Sequence, residues 1–167
     1  MNENSSFDEI LVKDPLIKFS VYTHIQIKQL EEVSNEILQL FDSQKSIYAY
    51  GKFWLWVLGA FAVIRTMYQA RSCFDIKTQK DLCSLKNQLS KIRVPFEKQE
   101  YEWKKHKPIN SEASIAGLGD NQNDMIFIIN DSSISARNLI RSFKSTTAQI
   151  TQEKILRDHR KADCYVN

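Results

Sequence analysis

Glycine and proline are scarce in this chain, with four and three residues in 167. So few breakers predict long, uninterrupted helices. Cysteine is scarce too. Cys73, Cys83 and Cys164 are an odd set with no CxxC pair. That predicts no disulfide framework, thiols that pack as small hydrophobes, and a reducing cytoplasm. The three histidines, His24, His106 and His159, are far apart. None falls in an HExxH or HxxxH pattern or beside a cysteine at zinc spacing, so no metal centre is predicted. GxGxxG, GxxxxGK[ST] and GxSxG are all absent, and Gly117 and Gly119 flank Leu118 without opening a helix. These absences remove the usual marks of a dinucleotide enzyme, a P-loop NTPase and a serine hydrolase. They leave no residue to name as catalytic and no cofactor to assign.

The most informative feature present is the apolar run Phe53 to Ile64, bounded by Lys52 and Arg65. It has twelve residues without a charge, whereas a bilayer-spanning helix needs about 20. The run is therefore expected to be the buried central helix of a domain, with no membrane partner. A hydrophobic fraction of 43% with 26% charged residues is ordinary for a globular chain. A chain of this length buries a core without disulfides or metals. The net charge of +3 neither demands nor excludes an anionic partner.

Residues 1–13 read as a polar lead-in, without the basic and apolar segments of a secretory signal. A single domain is expected over 14–150, followed by a polar tail, 151–167, that frays. Asp14 and Pro15 start a first helix of about seven turns, with Ile27, Leu30, Val33, Ile37, Leu40 and Phe41 on one stripe. A second helix is predicted from Ile47 to Phe74, with Trp54, Trp56 and Phe61 in the core. Gly51 and Gly59 fall on nearly one face of it, where a neighbouring helix can approach closely. Thr78 is the expected cap of a third helix, which carries Leu82, Leu85, Leu89, Ile92 and Phe96 and ends or kinks near Pro95. Residues 112–118 and 124–130 read as the strands of a hairpin. Met125 to Ile129 is apolar throughout, and so is expected to be covered on both faces. Ser135 caps the last helix.

Three groups are candidate sites. Lys91 to Lys107 mixes six basic residues with three glutamates, Phe96, Tyr101 and Trp103. Phosphates need Lys or Arg, and bases stack on aromatic rings, so Arg93, Lys104 and Lys105 are candidate anion or nucleic-acid contacts. Such a charge run is more often a solvated helix end. Arg137, Arg141 and Lys144 share one face of the last helix by spacing, so Arg137 and Arg141 join that list. The competing reading is the ordinary polar back of an amphipathic helix. Arg65 closes the apolar run with Tyr68 one turn on, and a charge there must be solvated, paired or part of a pocket. An acidic partner from another helix is the commoner outcome, and a ligand pocket the rarer one.

The sequence thus predicts a mainly helical α+β fold, an antiparallel bundle of about four helices with a β-hairpin between the third and fourth. The helix arrangement resembles the HEPN group of helical domains, whose signature is an Arg followed four to six residues later by a His. Arg157 has His159 only two residues on, so the resemblance implies no catalytic residue here. Three functions follow in order: a non-enzymatic interaction or structural protein that self-associates as a homodimer through the hairpin or the second helix; a nucleic-acid-associated protein of a bacterial or phage-like system; and an enzyme or small-ligand binder with a pocket near Arg65.

Overall fold

The computed structural model describes residues 14–98, 116–118, 123–129 and 132–157. The chain forms α1 (Pro15–Phe19), α2 (Val21–Asp42), α3 (Ser46–Gln69) and α4 (Ile76–Lys98). Strands β1 (Ala116–Leu118), β2 (Met125–Ile129) and β3 (Ser132–Ser135) follow, and α5 (Ala136–Ala148) comes last. Short 3-10 turns sit at Arg71–Cys73 and Gln152–Lys154. The architecture is the expected mainly helical α+β bundle, with antiparallel strands between α4 and α5. The lead-in 1–13, the stretch 99–107 with Lys104 and Lys105, and most of the hairpin loop lie outside the described residues.

The first helix is two helices. The side chain of Asp14 accepts from the Leu16 amide at 2.9 Å and caps α1. Ser20 then turns extended, with φ −165° and ψ 126°, and its hydroxyl accepts from Thr23 to start α2. A serine that satisfies an otherwise orphaned amide makes a restart cheap, so the apolar period alone did not reveal the break. Asp75, rather than Thr78, caps α4, accepting from the Thr78 amide at 2.8 Å. α4 also runs on through Pro95 to Lys98.

α3 is the hub, packed between α2 and α4. Its inner face buries Phe53, Trp56, Ala60, Ile64 and Met67. Phe53 stacks on Trp56 at 5.7 Å and on Phe127 of β2 at 5.3 Å. Trp56 meets Phe143 of α5 edge-on at 5.4 Å. Four rings thus tie α3, the sheet and α5 together, and stacked or edge-on aromatic pairs add to their burial energy. Leu85 and Leu89 of α4 are buried as expected, whereas Phe61 is half-buried and Trp54 is 38% exposed.

The strands form a three-stranded antiparallel sheet in the order β1-β2-β3. The residues expected to be only a turn and a cap, 132–135, therefore add a third strand, and Ser135 is both its last residue and the cap of α5. β2 is covered on one face only: Met125, Phe127 and Ile129 are buried while Ile128 is 68% exposed. β2 is central, so both of its edges are paired. Asp124 fastens the sheet to α5, accepting from the Met125 amide, the Ser135 hydroxyl and the Arg137 amide.

The fraying expected after Thr151 does not occur through Arg157. Ile155 is buried, pairs with Phe74 as an antiparallel bridge and accepts from the Lys18 ammonium at 2.9 Å. The Leu156 amide donates to the Cys73 carbonyl at 2.7 Å. Cys73 is itself disulfide-bonded, to a partner outside the described residues, while Cys83 is free. The odd cysteine count therefore misled, and it no longer argues for a reducing compartment.

Candidate functional surfaces

The outer face of α3 is apolar from Ile47 to Leu55, about two and a half turns. It carries Ile47, Tyr48 and Leu55 at 75%, 71% and 62% exposure, with Gly51 and Trp54 between them. The run was expected to be buried on several sides, but α2 and α4 flank only part of the helix. Among the described residues, α3 is long and apolar enough to cross a membrane by length and composition, and less than half of its most apolar stretch is buried. A core helix with one open side meets the same test. α3 carries no acidic residue, and Lys52, one of its two cations, pairs with Glu36 of α2 at 2.7 Å.

The two glycines of α3 differ in surroundings. A side chain at Gly59 would meet Leu30 of α2 at 3.2 Å, so this glycine does permit a close helix approach. Beside it, Leu30, Val33 and Ala62 help to line a shallow groove of about 280 Å³ between α2 and α3. Gly51 has nothing within 4 Å of where its side chain would be. It is a notch open to the outside.

Among the described residues, the cations singled out in the sequence do not share one face. Arg137 bonds Asp42 at 2.8 Å and the Asn123 carbonyl at 2.7 Å, with its guanidinium over Phe41. It is a tie between α2, α5 and the approach to β2. Lys144 donates to Asn35 of α2 at 2.6 Å. Arg93 lies over the ring of Phe61 at 4.8 Å. Arg141 alone of these points into a cleft between α4 and α5, described below. Arg65 is exposed and has no ion-pair partner among the described residues. Tyr68 is half-buried, with Arg71 and Lys86 at 5.0 and 4.6 Å from its ring centre. Neither Arg65 nor Tyr68 lines either groove.

Between α4 and α5 lies a polar cleft of about 460 Å³. Lys77, Asp81 and Ser84 face it from α4, and Arg141, Ser145 and Thr146 from α5. This constellation was not foreseen. Its members sit on two helices that are distant in sequence, α4 ending at Lys98 and α5 starting at Ala136, and each reads alone as a solvated position. No group of three His, Cys, Asp or Glu side chains among the described residues is placed to hold a metal ion.

The chain matches no protein-family model, no curated protein and no solved structure.

Proposed function

We propose that the protein is a non-enzymatic interaction module that self-associates through the outer face of α3. The observation that carries this reading is the apolar stripe from Ile47 to Leu55. Ile47, Tyr48 and Leu55 stand on it, with Tyr50 and Trp54 42% and 38% exposed beside them, and together they form the apolar centre of an interface whose polar rim would complete the roughly 800 Å² per partner of a standard one. Single exposed apolar residues need no explanation, but a continuous patch of this kind does.

A second copy fits the patch because the stripe is self-complementary. In a two-fold arrangement, residue i of one copy meets residue j of the other and the reverse. An antiparallel pairing of two α3 helices sets the open notch at Gly51 against the knob at Leu55, twice. The sheet is a weaker candidate. In the register, Ile128 stands opposite Ser133, and Ile126 opposite Ser135, so the exposed Ile128 of β2 has polar neighbours.

Insertion across a bilayer is disfavoured by the company α3 keeps. Spanning would carry Lys28, Glu31, Glu32 and Glu36 of α2 toward the apolar layer, at several kcal/mol each.

Light scattering coupled to gel filtration tests the proposal. The native chain should run at twice 19.5 kDa, and Leu55→Glu should run at the single-chain mass with unchanged helicity. A single-chain mass for the native protein at about 100 μM, well above typical dimer dissociation constants, would sink the reading. Flotation of that monomer with lipid vesicles would reassign the face to a membrane surface.

A further inference from the structure

The α4–α5 cleft shares no residue with the α3 face and needs its own account. We infer that it is a binding site for a small polyhydroxylated anion, a sugar phosphate by chemical class, with the phosphate at Arg141 and the sugar hydroxyls at Asp81.

The cleft volume of about 460 Å³ falls within the range of about 300–1,000 Å³ for small-molecule sites. From Lys77 to Gln88, the α4 side rises through eleven residue steps, which is about 16 Å at 1.5 Å each. Phe74 and Asp75, at the start of α4, are tied to Ile155 and Lys154 just beyond α5. The end of α5 therefore lies at the Lys77 end of the cleft, and Arg141, two turns earlier on α5, lies toward the Gln88 end.

The charges are arranged asymmetrically along that length. Lys77 and Asp81 are one turn apart on α4, so each offsets the other's field. α5 has no acidic residue, so Arg141 is not offset on its own helix. Lys77, Asp81 and Arg141 have no hydrogen-bond or ion-pair partner among the described residues. A phosphate is therefore drawn to Arg141, whose planar fork matches two phosphate oxygens, and is repelled from Asp81.

The hydroxyls fit the same orientation. Ser142 and Ser145 flank Arg141 within one turn of α5 and can donate to phosphate oxygens. Asp81 accepts only, and a carboxylate takes two hydroxyl donors at once. With Lys77 beside it as a donor, that end suits a polyol. Leu85 is the buried apolar floor between the two ends. Nothing in this set is a nucleophile paired with a base, so binding rather than turnover is inferred.

Calorimetric titration of the full chain tests this, with ribose 5-phosphate, ribose and inorganic phosphate as separate probes. Ribose 5-phosphate should bind saturably below about 1 mM, and tighter than either fragment by at least about tenfold. Arg141→Gln and Asp81→Asn should each weaken it by about tenfold or more, since each removes a charge-assisted contact. Arg141 is exposed and Asp81 half-buried on helix surfaces, so both variants should keep the native circular dichroism. Three results would overturn the inference: no saturable binding at about 10 mM, phosphate alone binding as tightly as ribose 5-phosphate, or unchanged affinity in both folded variants. Because Leu55→Glu leaves the cleft intact, that variant should bind as the native chain does, whatever its oligomeric state.

Discussion

The indole N–H of Trp56 donates to the Ser34 hydroxyl at 2.8 Å across the α2–α3 contact, and to the Leu30 carbonyl at 3.2 Å. Ser34 in turn donates to that carbonyl at 2.6 Å. A fully buried indole needs such a partner, because an unmet buried donor costs about 1–3 kcal/mol. The triangle fixes how α2 sits on the central helix.

The two tryptophans of α3 should therefore respond very differently to truncation. Trp56 is 1% exposed and Trp54 is 38% exposed. Trp56→Ala should cost about 3–5 kcal/mol. Ser34→Ala should cost about 1 kcal/mol, since the Leu30 carbonyl still accepts from the indole. Trp54→Ala should cost clearly less than Trp56→Ala. Urea denaturation monitored by circular dichroism ranks the three, and equal losses for the two tryptophans would contradict the burial pattern.

Acid sensitivity should trace in part to Asp75. Its carboxyl is held below the usual aspartate value, first by the Thr78 hydroxyl and then by the Thr78 amide; burial opposes them, and Lys154 and Lys77 add smaller attractions. A carboxyl lowered in the folded state stabilises fully above its unfolded value of about 3.9. That contribution is lost as pH falls through the folded value. Asp75→Ala should cost about 1 kcal/mol at neutral pH as a lost helix cap. The gap in melting temperature between native and variant should narrow as pH falls from about 7 to about 2. A gap that stays constant over that interval would remove Asp75 as the titrating cap.

Much of this fold was legible because its signals are local. The stripe Leu82, Leu85, Leu89 and Ile92 marked α4, and Ser135 marked the start of α5 through one side chain and one amide three residues away. What stayed hidden depends on contacts distant in sequence. Trp54 and Trp56 are equally apolar, and only the placement of α2 and α5 decides which is covered. β3 was hidden because Ser132 to Ser135 has the composition of a turn, and only pairing with β2 makes it a strand. Arg137, Arg141 and Lys144 have stripe spacing, yet Asp42 and Asn35 on α2 claim two of them and leave Arg141 to the cleft.

The glycines of α3 offer a paired comparison. Replacing glycine by alanine inside a helix favours folding by about 0.8–1.0 kcal/mol when space allows. Gly51→Ala meets open space and should stabilise the chain by about that amount. At Gly59 the new methyl would press on Leu30 at 3.2 Å, and that displacement should offset most of the gain. Denaturation of dilute protein should thus place Gly51→Ala above Gly59→Ala in stability. The reverse order would mean that α2 does not approach α3 at Gly59.

The segment after Thr151 should act as part of the folded core. Ile155 is 1% exposed, and its backbone is held from two directions, by the Phe74 bridge and by the Lys18 ammonium. Asp75, the cap of α4, also donates its amide to the Lys154 carbonyl at 2.9 Å. Removing the segment would strip cover from Phe19 and Phe74, whose rings pack at 4.8 Å, and would free the start of α4. Ile155→Ala should therefore cost about 2–5 kcal/mol. Lys18→Met, which keeps the apolar stem but removes the donor, should cost only about 1 kcal/mol. Hydrogen exchange gives the local reading. In the native chain the amides of Asp75 and Leu156 should exchange slowly, and Ile155→Ala should speed both before the amides of α3 respond. Fast exchange of Leu156 in the native chain would show that the segment is not docked, and the stability argument for Ile155 would fail with it.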